Sequence, residues 1–406
     1  MKSLNRLDFR SEMVPGQGGN DSTVTHHFPL PARREEVDDY FYSLRVHRSI
    51  KSLETLELPW RRLTPEGASP FQTFTWNLSW YQTYAASAGA PLVFEIRRGG
   101  EAVAILPCYR AGGALRLAGD LTCDYQDIIT HKDEEVPPAL TLVMDWLKRE
   151  ARMSHFQFDR LSSEGRLFRA LHGSAEIPDA SLVFEKCSAP CPYVNLQGGL
   201  DGYLASLPIK IRQDLRHSLN RLEKEAPVAR VVRLNDFSIR VDDLTHAADF
   251  HIEHFRKEGV SPFGDKRLID LFGRIAKDPE VGLQISFLAN QGDLLAVDFG
   301  FVRGGRYYGY LTAFDPAFSR LAPGKCLLLK RIDGWVQEDG VHTLDFLAGD
   351  ESYKKSFTGG NAYQVWSMRL LPDDLHNRAR RIGLESHQRL RRLAKAALRK
   401  TRAAMR

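Results

Sequence analysis

Cysteine is scarce in this chain: five in 406 residues, at Cys108, Cys123, Cys187, Cys191 and Cys326. An odd, scattered set makes no disulfide framework and fits a reducing compartment. Cys187 and Cys191 lie four apart, but no further ligand-type residues accompany them, so no metal site is expected. No run of about 20 apolar residues is present, which argues against a membrane-spanning helix. The N-terminus lacks the basic-then-apolar pattern of a secretion signal, and a cytoplasmic protein is expected. The body of the chain also lacks positive charge. Net charge is +5, yet eleven Lys/Arg against three Asp/Glu fall between Asp373 and Arg406. The rest is slightly acidic and does not read as a DNA-binding surface. The basic tail carries Leu384, Leu390, Leu393 and Leu398 among its arginines. It reads as an amphipathic helix that rests on anionic lipid, peripheral to a membrane, or on a partner such as a polysaccharide synthase. A solvated tail is the alternative.

What is present is the composition of a globular protein, 43% apolar and 26% charged, at a length that suggests two domains. Residues 1–60 read as a partly disordered N-terminal extension, with a short helix between Glu35 and Ile50. Residues 61–185 read as a first module, 186–200 as a linker carrying Pro190, Pro192 and Gly198-Gly199, 201–372 as a second module, and 373–406 as the tail. Each module repeats one order: helix, hairpin with a glycine turn, third strand, helix, strand. The glycine turns at Gly99 and Gly292, and the last strands at His155 and His342, stand about 190 residues apart, a repeat in pattern rather than identity. Before its second helix the first module has Val136-Pro-Pro-Ala139, without glycine; the second has Pro323-Gly324. Only the second turn is suited to bringing backbone close to a phosphate.

That turn is the centre of the chain. An aromatic strand, Arg306 to Phe314, leads through it to a helix marked by Leu328, Ile332 and Trp335, stopped by Gly340, and then to a strand from Val341 to Leu347. The first turn of a helix has unbonded backbone N–H groups and a partial positive charge, so Leu321, Ala322, Pro323, Gly324 and Lys325 are candidates for holding a pyrophosphate. Elsewhere, the helix Asp201–Glu225 has an apolar face and a basic one. Its Arg212, Arg216 or Lys224 either meets a phosphate or is simply solvated.

Several segments together resemble a known group. They are Pro323-Gly-Lys325 with its leucine-rich helix, Asp345-Phe-Leu-Ala-Gly-Asp-Glu-Ser-Tyr-Lys354, Pro70-Phe-Gln-Thr-Phe-Thr-Trp76, Ile105-Leu-Pro107 and Asp124-Tyr-Gln-Asp127. From about Pro70 to Leu371 the chain resembles the FemAB-like, tandem-module branch of the GNAT acyltransferases, in particular the cellulose-biosynthesis (CelD/BcsL-type) acetyltransferases. The resemblance implies an α+β fold of two tandem GNAT-like modules, each a mixed, mostly antiparallel sheet flanked by helices. It implies acetyl-CoA or another acyl-CoA as co-substrate, its pantetheine arm between strands 306–314 and 342–347. It also implies direct transfer to an amine or hydroxyl of a small-molecule or glycan-precursor acceptor, in exopolysaccharide, cellulose or envelope synthesis.

Within that frame Tyr353 is the candidate acid, because a phenol of pKa about 10 can protonate a thiolate whose thiol sits near 8.5; otherwise it packs under Trp366. Asp345 is the candidate base; otherwise it is a carboxylate paired with a Lys or Arg. Asp298 carries the same ambiguity. Lys354 either meets a CoA phosphate or is a surface lysine. Asp124, Tyr125 and Asp127, in a loop, and Tyr310 are candidates for the acceptor pocket. Cys326 and His342 read as structural. Two other functions stay open. One is a FemAB-type aminoacyl transferase using aminoacyl-tRNA, suggested by the basic tail and the helix 201–225. The other is a catalytically silent module of a polysaccharide assembly.

Overall fold

Period-two patterns in the sequence become strands and period-3.6 patterns become helices, in one alternating series. The structure is a computed structural model. It describes residues 42–119, 122–150, 153–172, 177, 180–256, 259 and 261–372, with two short strands further upstream, β1 (Glu12–Met13) and β2 (Val24–Thr25), which pair with each other. The first half runs β3 (Tyr42–His47), α1 (Ile50–Glu54), α2 (Glu57–Leu63), α3 (Phe74–Ala88), β4 (Pro91–Arg98), β5 (Glu101–Ala111), β6 (Ala114–Leu117), α4 (Val136–Arg149), β7 (His155–Ser162) and α5 (Arg166–His172). The second half runs β8 (Ala180–Asn195), α6 (Gly199–Ser206), α7 (Ile209–Glu225), β9 (Arg230–Asn235), α8 (Val241–Phe255), α9 (Arg267–Ile275), β10 (Leu283–Asn290), β11 (Asp293–Arg303), β12 (Arg306–Phe314), α10 (Pro323–Gln337), β13 (Thr343–Asp345), α11 (Ser352–Thr358) and β14 (Ala362–Pro372).

Twelve strands form one sheet in the order β3-β4-β5-β6-β7-β14-β8-β13-β12-β11-β10-β9. The fold is α+β, and its ladders are antiparallel except for β6–β7 and β12–β13. Those two parallel pairs occupy matching places in the two halves, each joined by a crossover helix, α4 or α10. The repeated order read from the sequence is therefore present, but the two halves are fused edge to edge.

Two expectations are corrected here, after one placement that the sequence leaves unstated. The C-terminal strand does not close the second half on itself: β14 lies between β7 of the first half and β8, antiparallel to both. The segment 186–200 does not run free as a linker, because up to Asn195 it is part of the 16-residue strand β8. And order begins well before Trp60. Residues 42–47 are a strand on β4 rather than part of a helix, and Trp60 is fully buried with its indole N–H donating to the Gln72 carbonyl at 3.0 Å. The basic tail, 373–406, lies outside the described residues.

The stripe Leu140, Val143, Met144 and Leu147 of α4 is buried against the first half's strands, as its spacing requires. In the second half α8 and α9 cover one face of the sheet, and α6, α7 and α10 cover the other. One core crosses the boundary. Phe71 and Trp76 of the first half meet Phe301 edge-on at 6.0 and 5.5 Å. Each large side chain so buried contributes up to about 3 kcal/mol, which makes the junction part of the hydrophobic core and not a hinge.

Candidate functional site

The parallel pair β12–β13 is short. It holds over Arg306↔Thr343, Tyr307↔Leu344 and Tyr308↔Asp345, and then β13 ends. The chain turns through Leu347 (φ 54°) and Gly349 (φ 145°), and the N–H groups of Phe346 and Gly349 donate to the carbonyls of Pro192 and Pro190, both at 2.9 Å. Residues after Asp345 thus follow β8 while β12 continues to Phe314, and a wedge opens between them. A bulge opposite Phe299 and Gly300 breaks the alternation of β12. Tyr310 consequently packs on the α9 side, against Phe272 and Phe301. Thr312 falls on the opposite side, where its hydroxyl donates to Asp298 at 2.6 Å.

A cavity of about 500 Å³ fills this wedge. Thr312 and Phe314 form one wall, Ala322 to Lys325 the floor, and Tyr353 and His254 the other sides. Ala322 precedes α10 in the left-handed region (φ 49°, ψ 50°), and no side chain caps the helix. Pro323 has no N–H to lose. The N–H groups of Gly324 and Lys325 therefore face the cavity end of the helix without a protein cap, together with the helix's partial positive charge. A Cβ added at Gly324 would sit 3.7 Å from Thr312 and 3.8 Å from Phe314, filling space between helix and strand without a clash. Lys325 reaches α7, with Nζ 2.8 Å from Asp214. Leu321 is buried beneath the turn and supports it from below.

Tyr353 is 39% exposed and stands edge-on to Phe346 at 6.3 Å. Its surroundings push its phenol up, so the proton is held at neutral pH. Lys354 points the other way. It is buried, with Nζ donating to the Ala348 carbonyl at 3.1 Å and paired with Glu351 at 2.9 Å. Its ammonium ties down the loop from β13 to α11 and does not border the cavity, so the expected phosphate contact is replaced by a structural one.

The structure brings Tyr353 and the turn 322–325 together, and it does not bring Asp345 to them. Asp345 is fully buried in a second, more polar cavity of about 370 Å³. There Tyr125 donates to both its oxygens (2.9 and 3.0 Å), Arg306 Nη1 to one (3.0 Å) and the Leu347 N–H to the other (2.9 Å). Burial raises its pKa and Arg306 opposes that. This is the paired carboxylate that was the alternative to a base. Asp127 accepts from the N–H groups of Ile128, Arg166 and Leu167 at 2.7–2.9 Å and so caps α5. Asp124 pairs with Arg160 and accepts from the Ala348 N–H at 3.2 Å. The Tyr310 hydroxyl donates to the Thr122 carbonyl at 2.8 Å. Residues 122–127 therefore clamp the end of β13 from the first half. Of the four acceptor-pocket candidates, Tyr125 and Asp127 border the second cavity with Asp345, and Tyr310 borders a third, of about 830 Å³, between α3, the end of β5 and the start of α9.

Asp298 lies behind Thr312, fully buried, and accepts from Thr312 and from Tyr307, whose ring stacks on Trp335 at 4.0 Å. Burial pushes its pKa up to about 6. Cys326 is buried inside α10 and its thiol is pushed up to about 12, so it carries no thiolate. His342 bonds its own neighbour Thr343 at 3.0 Å, outside the wedge.

Sequence reasoning missed His254 and Thr312. His251 and His254 stand one turn apart at the end of α8, before Phe255. That histidine pair, where an amphipathic helix runs out, was the signal available for His254. Thr312 was hidden because strict alternation does not announce a bulge.

Residues 210–355 match the acetyltransferase (GNAT) domain family. No curated protein matches the chain. Among solved structures the chain is similar to FemX, at 10% identity and TM-score 0.54 over 80% of this chain and 97% of that one. It is similar to the C-terminal domain of a candidate lysylphosphatidylglycerol synthetase from Agrobacterium fabrum, at 12% and 0.51 over 83% and 97%. It is also similar to a conserved protein of unknown function from Bacteroides thetaiotaomicron, at 14% and 0.51 over 80% and 99%. At such identities the likeness carries the fold. Among the described residues no helix is long and apolar enough to cross a membrane, and no three ligating side chains cluster as a metal site would require.

Proposed function

We propose that the protein is a GNAT-type acyltransferase that moves an acetyl or other acyl group from acyl-CoA to an amine or hydroxyl, by direct transfer. The acceptor we infer is a sugar or amino-sugar precursor of an exopolysaccharide, cellulose or envelope polymer, in line with the family resemblance. One observation carries the donor: an uncapped helix N-terminus opens into a cavity of about 500 Å³ where two strands part, with a tyrosine in the same wall. A pyrophosphate suits the bare N–H groups of Gly324 and Lys325. The unpaired edge of β12 offers backbone groups to the amide-bearing arm of the donor, as a neighbouring strand would. Tyr353 then protonates the leaving thiolate. Calorimetry with acetyl-CoA tests the donor, and no binding at millimolar ligand removes this reading. A mass-spectrometric screen of cell extract for acetyl-CoA-dependent mass gain identifies the acceptor.

A second reading, transfer of an aminoacyl group from aminoacyl-tRNA, is favoured by α7. Its Lys210 and Arg216 are exposed, Arg212 is half-buried, and none has an ion-pair partner among the described residues. Retention of charged tRNA at physiological salt, lost on removing residues 373–406, is the result that supports it.

A further inference from the structure

We propose that His254 is the general base of the transfer, an assignment that rests on the acyl-CoA reading. Its Nδ1 lies 2.7 Å from the Phe314 carbonyl oxygen. A carbonyl can only accept, so Nδ1 carries the hydrogen and Nε2 carries the lone pair. The ring is held between Phe314, at 4.5 Å, and Phe255, at 4.7 Å. It borders the same cavity as Tyr353 and the head of α10.

The two side chains reach that cavity from opposite sides of the sheet. α8 packs with Phe299 and Phe301, whereas α11 shares its core with α10 through Phe346 and Phe357. An acceptor entering on the α8 side meets a lone pair, and a thiolate leaving on the α11 side meets a phenol. The acceptor N–H or O–H proton passes to Nε2. The acceptor's nitrogen or oxygen bonds the thioester carbon. The C–S bond breaks, and the Tyr353 proton goes to sulfur. The imidazolium and the phenolate then return to their starting forms by proton exchange through water.

The other charged groups bordering the cavity are Lys325 and Glu351. His251, one turn back, is buried against Ser261 at 2.9 Å, and burial pushes its pKa to about 4, so it stays neutral beside His254. Asp345 cannot compete: four donor contacts occupy it, in another cavity.

The test has two arms. Diethyl pyrocarbonate acylates an accessible, unprotonated imidazole nitrogen, and peptide mass spectrometry locates the label. At pH 7 His254 is expected to be labelled in the free protein and protected at least about tenfold by saturating acetyl-CoA, as a residue of the filled cavity must be. Acetyl-CoA binding without protection overturns this inference alone; failure of acetyl-CoA to bind at all overturns the donor reading as well. In the second arm, His254→Asn keeps an N–H donor for the Phe314 carbonyl. It should bind acetyl-CoA within about twofold of the wild type while cleaving it about 100-fold more slowly with glucosamine as probe acceptor. Cleavage within about threefold of the wild type overturns the assignment.

Discussion

The two halves carry the same wedge, and only one leaves it open. In the first half β6 and β7 are paired in parallel over three residues, as β12 and β13 are in the second. There the chain fills its own gap. The Gln126 N–H donates to the Arg160 carbonyl at 2.9 Å in a parallel bridge to Leu161, and Ile129 bridges to Ile105. The crossover helices differ in the same sense. Before α4 stands Glu135, 1% exposed, receiving the Tyr42 hydroxyl at 2.8 Å and paired with Arg98 at 2.9 Å. Neither helix has a side-chain cap hydrogen bond, but α4 has a carboxylate at its N-cap position where α10 has an alanine. One duplicated frame is thus filled where the chain supplies its own strand and anion, and holds an open cavity where it withholds both.

The largest effect is expected at Asp345, which the first half's Tyr125 holds and the second half's own Arg306 neutralises. Arg306→Leu leaves Asp345 buried without its cation, and a loss of about 3–5 kcal/mol in urea unfolding is expected. Unchanged stability would mean that buried Asp345 does not depend on this pair. Next comes Asp298, whose place in the matching hairpin of the first half is taken by apolar Leu106. Its folded pKa of about 6 exceeds the ordinary carboxylate value, so the folded state binds the extra proton between about pH 4 and pH 6. Its contribution therefore makes stability fall as pH rises through that window, by roughly 3 kcal/mol at most. Asp298→Asn should flatten the window relative to the wild type, and parallel pH–stability curves would refute it.

Tyr353→Phe should slow acetyl-CoA cleavage about 100-fold, about 2.7 kcal/mol, at unchanged acetyl-CoA affinity. A change in affinity alone would make Tyr353 a packing residue. The mildest test brings a carboxylate to the second half's helix, two positions inside the place that Glu135 takes in the first. Gly324→Glu puts a carboxylate at the open helix, where a side chain meets ordinary contacts, and should weaken acetyl-CoA binding at least about tenfold, about 1.4 kcal/mol. Gly324→Ala should stay within about threefold, since it adds bulk without charge. If both weaken binding equally, space and not charge controls the site.

Much of this contrast was legible in the residues. Leu328, Ile332 and Trp335 place the crossover helix, and Pro323-Gly324 against Val136-Pro-Pro-Ala139 marks which helix is open. Tyr353 reached the expected cavity. What escaped depends on partners distant in sequence. Pro190 and Pro192 read as a linker because proline donates nothing to a ladder, yet here the loop 346–349 brings N–H groups to their carbonyls, and a donor at those positions is not needed. That Asp127 also caps α5 escaped, because a polar loop residue looks the same whether it only borders a pocket or caps a helix folded against it 40 residues later. Alternation marks β14 as a strand but says nothing about which edge it joins.

The seat of β14 governs the order in which the molecule is completed. The strand that joins the two halves is the last described segment to leave the ribosome. Until Ala362–Pro372 emerges, β7 and β8 each present a bare edge to the other and to neighbouring chains. A nascent chain halted before Ala362 would hold the whole wedge beside β12 and still be open down the middle.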